Sequence, residues 1–68
     1  MRITELYTQR INETKTRIRY LNQRLRYCLK KGYTETADSY KTQIPKEEVR
    51  LQELIAYREN LYAVNRRR

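Results

Sequence analysis

Arg10, Arg17, Arg24 and Lys31 recur every seven residues, and Tyr20 and Tyr27 each follow an arginine of that row by three. On an α-helix such a period keeps the residues on one stripe. Guanidinium groups take phosphates through paired hydrogen bonds, and tyrosine rings offer a stacking surface to unpaired bases. The chemistry this pattern can do is the gripping of a nucleic-acid backbone with little sequence readout. Arg19 and Arg26 form a second, shorter basic row, and the chain ends in Arg66, Arg67 and Arg68, a short tail able to reach a phosphate.

Other chemistry lacks its residues. There is no histidine, no glycine-rich phosphate loop, no nucleophile with an imidazole base and no metal-ligand spacing. Glu47 and Glu48 sit between Lys46 and Arg50, which reads as a solvated stretch of helix rather than an acid–base pair. The single cysteine, Cys28, falls on an apolar column and reads as a small buried thiol. The expectation is a protein that is not an enzyme and needs no catalytic residue, metal or cofactor.

Charge is unevenly placed. Through Tyr33 the chain has nine Lys and Arg against two Glu, a net of +7; from Thr34 onward it has seven against six, a net of +1, which together make the +8 of the whole chain. The basic half is the half that carries the arginine and tyrosine row.

The elements that must position this row follow from the apolar residues. Thr4, Tyr7, Ile11, Thr14, Ile18, Leu21, Leu25 and Cys28 hold a 3-4 spacing, the mark of a helix packed lengthwise on another. The basic and tyrosine row lies roughly 110° around the helix from this seam, with Arg19 and Arg26 on its opposite flank. A helix is expected from about residue 3 to 31, ended by Lys30, Lys31 and the only glycine, Gly32. After a turn at 32–34, Thr34 can cap a second helix, with Glu35 and Asp38 in its first turn. Its apolar column reads Ala37, Tyr40, Ile44, Leu51, Leu54 or Ile55, and Leu61 or Tyr62, broken near Glu47 and Arg58. Pro45 removes a backbone donor yet suits a helix start, so the second arm is expected as helices of about 34–43 and 45–65, kinked or divided at Pro45, before the basic tail 66–68.

The fold expected is all-α, a single domain over residues 1–68. It is an antiparallel, coiled-coil-like helical hairpin. A chain of 68 residues buries too little surface to be comfortably stable alone, and a two-helix hairpin has no closed interior. A homodimer forming a four-helix bundle is the expected remedy. No apolar run reaches the ~18 residues of a membrane span, and the first residues lack the apolar stretch of a secretory signal, so a cytoplasmic protein with no membrane partner is expected.

Small basic helical hairpins occur in ribosomal proteins that sit on RNA, in plasmid and phage regulators and in phage inhibitors of host enzymes, and no motif here ties the chain to any of them. The leading expectation is a nucleic-acid-binding module. The alternative is a phage- or plasmid-type regulator or inhibitor that docks its basic helix on an acidic surface of a partner protein; a third is a structural coiled-coil piece of a larger assembly. A plainer role for the same residues exists: arginines beside a seam often meet acidic groups of the facing helix, and tyrosines often pack as half-buried core.

Overall fold

A computed structural model of the chain describes residues 2–66, with side-chain surroundings given for residues 2–64. Two helices, α1 (Ile3–Lys31) and α2 (Thr34–Arg66), pack against each other as a hairpin. The result is a rod of 56 × 18 × 12 Å.

Helix α1 starts where Arg2 is extended (φ −75°, ψ 146°) and its carbonyl accepts the N–H groups of Glu5 and Leu6 at 3.0 and 3.2 Å. Its other end is closed by glycine. Gly32 takes the left-handed conformation (φ 79°); its N–H donates to the Leu29 carbonyl at 3.3 Å, and the Tyr33 N–H donates to the Cys28 carbonyl at 2.9 Å. These paired bonds form a Schellman motif. The side-chain contact that accompanies it is Tyr33 against Tyr27, with ring centroids 6.4 Å apart and planes at 60°. The next helix begins at once, the Tyr33 carbonyl accepting the Ala37 N–H at 2.9 Å. Thr34 thus lies inside the first turn of α2, and Tyr33 precedes it.

Three cross-links mark the antiparallel register. Arg58 Nη1 donates to Thr8 Oγ1 at 3.2 Å, the Tyr7 and Tyr57 rings stand 6.3 Å apart, and Arg17 meets Glu47. This register sets Cys28 level with Ala37, Leu21 with Ile44, and Ile11 with Leu54. Every member of the column expected on α1 is buried or half-buried, and the fully covered side chains are Ile11 and Cys28. Thr14 is buried as well, its hydroxyl donating to the Arg10 carbonyl at 2.8 Å, so the polar group carries no unmet hydrogen bond.

Two expectations for the second arm need correction. The division into helices of about 34–43 and 45–65 does not occur, because α2 runs unbroken through Pro45. A proline inside a helix costs about 3 kcal/mol in the missing donor and the clash with the carbonyl four residues back. Here Pro45 and Lys41 both lie on the exposed side of α2. Buried Ile44 and half-buried Glu47 hold the backbone to α1 on either side.

The second correction concerns the apparent break in the apolar column. In space it is continuous: Ala37, Tyr40, Ile44, Glu47, Leu51, Leu54, Arg58 and Leu61 are all buried or half-buried, at the same 3-4 spacing. Glu47 and Arg58 occupy seam positions rather than interrupting them. Each keeps one buried polar atom, Glu47 Oε2 and Arg58 Nε, without a hydrogen-bond partner.

Candidate nucleic-acid interface

Arg10, Arg17, Tyr20, Arg24, Tyr27 and Lys31 all lie exposed along one flank of α1. Tyr20 and Tyr27 keep 56% and 45% of their surface accessible. The plainer role of tyrosine as half-buried bundle core therefore does not hold within the hairpin. Seven residues of helix rise about 10.5 Å, so the four cations form a straight row of roughly 31 Å from Arg10 to Lys31. Arg19 and Arg26 are exposed on the other flank and do not join this row. Arg67 and Arg68 lie outside the described residues, as does the side chain of Arg66, whose backbone closes α2.

The row is not uniform. Arg17 is held across the seam, Nη1 to Glu47 Oε1 at 3.4 Å, and among the described residues this is the one ion pair. Its arginine is mostly exposed, so the pair contributes at most about 1 kcal/mol. Arg24 lies over the Tyr27 ring, 5.3 Å from its centroid, a cation–π placement. The Tyr40 hydroxyl also raises the Arg24 pKa above the ordinary arginine value, first through a hydrogen-bonding interaction and then through charge, with Tyr20 adding to it. The shift leaves protonation unchanged, since arginine stays charged throughout the accessible pH range.

Two residues join that the sequence pattern did not single out. Arg50 of α2 faces Arg10 and Arg17 across a shallow groove of about 300 Å³, lined also by Gln9, Glu13 and Thr14. Three arginines and one glutamate thus line one groove. The Glu13 carboxylate is engaged along its own helix, accepting from Gln9 Nε2 at 3.3 Å. Tyr33, 53% accessible, extends the row past the end of α1 by its edge contact with Tyr27. Arg50 was legible only through the pairing of the two helices. Tyr33 was legible as the residue following the helix-ending glycine.

Among the described residues no three His, Cys, Asp or Glu side chains gather as a metal site, and no helix is long and apolar enough to cross a membrane. Cys28 is a free, buried thiol under the turn, removed from the row. No protein-family model, curated protein or solved structure matches the chain.

Proposed function

We propose that this hairpin is a non-enzymatic, cytoplasmic nucleic-acid-binding module, which grips phosphate backbones with the exposed flank of α1 and reads little sequence. What supports this reading is the want of internal neutralisation: Arg10, Arg24 and Lys31 face solvent in a straight row, and one carboxylate of α2 meets the row, at Arg17. Charges left unpaired on one face attract a polyanion, and contacts to its backbone carry no sequence information.

The module acts as a homodimer in this reading. Ile3, Leu6, Tyr57 and Val64 are exposed near the open end of the hairpin, and Leu51, Leu54, Ile55 and Leu61 are only half-covered. A second hairpin laid on these residues makes the four-helix bundle that a chain of this length calls for.

The test removes charge without disturbing the seam. Reversing Arg17 would set a carboxylate against half-buried Glu47, so Arg10→Gln and Arg24→Gln are the cleaner pair. Both should leave helicity and sedimentation unchanged and weaken binding to all sequences alike. The salt dependence should flatten by about 0.9 in logarithmic slope for each duplex phosphate that the variant no longer neutralises. If the double variant binds nucleic acid as the wild type does, the row is not a phosphate face. Capture by an acidic protein with no affinity for nucleic acid would favour the regulator reading instead.

A further inference from the structure

The turn end of the hairpin gathers planar groups in series. Tyr20, Arg24, Tyr27 and Tyr33 follow one another along the exposed flank; Arg24 sits over Tyr27 at 5.3 Å and Tyr33 meets the Tyr27 ring edge-on at 6.4 Å. Three tyrosines about half exposed at one end cost apolar hydration that a smaller polar residue would avoid. Neither the seam nor the helix cap accounts for Tyr20, which belongs to neither. We propose that this series is a stacking platform and that the polyanion taken by the hairpin is single-stranded, its unpaired bases lying on Tyr20, Tyr27 and Tyr33 while Arg24 and Lys31 hold the adjoining phosphates.

The inference rests on the phosphate-binding reading above and narrows it. Geometry favours a single strand over a duplex for a second reason. The cation row is straight for roughly 31 Å, nearly one duplex turn of about 34 Å. Over that length a duplex strand winds to the far side of its axis and back, so a straight row meets it only where it crosses. A single strand can follow the row throughout. Its bases then turn toward the rings that flank the cations, and every base has a face to stack, so sequence matters little.

The experiment measures anisotropy of a labelled oligonucleotide of about ten nucleotides, long enough to cover the row, as single-stranded DNA, as RNA of the same sequence and as DNA duplex, at one salt concentration. Both single strands should bind more tightly than the duplex. Tyr20→Ala, Tyr27→Ala and Tyr33→Ala should each weaken single-strand binding by about five- to a hundredfold, and duplex binding little. The Phe variants should bind single strands as the wild type does, because the ring and not the hydroxyl stacks. Val49→Ala, exposed on α2 and outside both the row and the open-end apolar surface, serves as a control and should change nothing. A preference for RNA or DNA single strands supports the platform and names its source. A duplex that binds as well as the single strands, with the Ala variants unaffected and Arg10→Gln/Arg24→Gln still weakened, overturns the platform and leaves the phosphate reading standing. If wild-type protein binds none of the three, both fall together.

Discussion

The turn half and the open half of this hairpin use the same helices to different ends. Near the turn, Cys28 and Ala37 are each 1% accessible, Leu21 and Ile44 are buried beside them, and the Schellman bonds close the helix end. Near the open end α1 still presents buried Ile11, but the α2 seam offers half-buried Leu54, Arg58 and Leu61, and Ile3 and Val64 are exposed around a small apolar pocket. The turn half is the more fully buried one and carries the tyrosine end of the row, Tyr20 to Lys31, while the open half retains exposed apolar surface.

The largest effect that would sharpen this contrast comes from truncating equivalent seam leucines. Leu21→Ala should cost about 2–4 kcal/mol in urea unfolding followed by circular dichroism, as for a buried leucine, whereas Leu61→Ala should cost about 1 kcal/mol. Equal costs would show that the two halves are packed alike.

Pro45→Ala tests whether the proline is a tolerated burden between the halves. Restoring the donor should raise stability by up to about 3 kcal/mol with no loss of helicity. A destabilised variant would mean the proline shapes α2 in a way the packing needs.

Gly32→Ala acts on the turn half alone. A Cβ there meets nothing within 4 Å, so the cost is purely that of the left-handed backbone, about 1–2 kcal/mol. A change nearer zero, read as an unshifted melting temperature, would break the claim that the cap anchors this end.

The smallest effect belongs to the open half. Arg58→Leu removes a guanidinium with one buried, unpartnered nitrogen and its single bond to Thr8. Replacing such a group by an apolar one is often neutral or stabilising by about 1 kcal/mol. A gain would strengthen the open seam, and a clear drop would show that the arginine holds the register.

Much of the fold was legible because its signals are local. The 3-4 column from Thr4 to Cys28, the lysines at the helix end and the lone glycine together mark α1, which runs Ile3–Lys31, and the turn after it. The exposure of Arg10, Arg24 and Lys31 followed from the same periodicity, since residues far around the helix from the seam face water. The second arm was less legible. Glu47, Arg58 and Pro45 each obey a local rule that argues for a break, and a pattern read along one helix carries nothing about the helix opposite.

Tertiary pairing decided what those residues do. Arg17 receives Glu47, Thr8 receives Arg58, and α1 holds the backbone on both sides of Pro45, so packing along the full rod outweighs one missing hydrogen bond and two polar intrusions. The same pairing brought Arg50 to the groove beside Arg10 and Arg17. Periodicity along one chain determined which residues face in and which face out. Which residues of the other helix they meet depended on the antiparallel register, a relation between positions far apart in sequence that only the folded hairpin establishes.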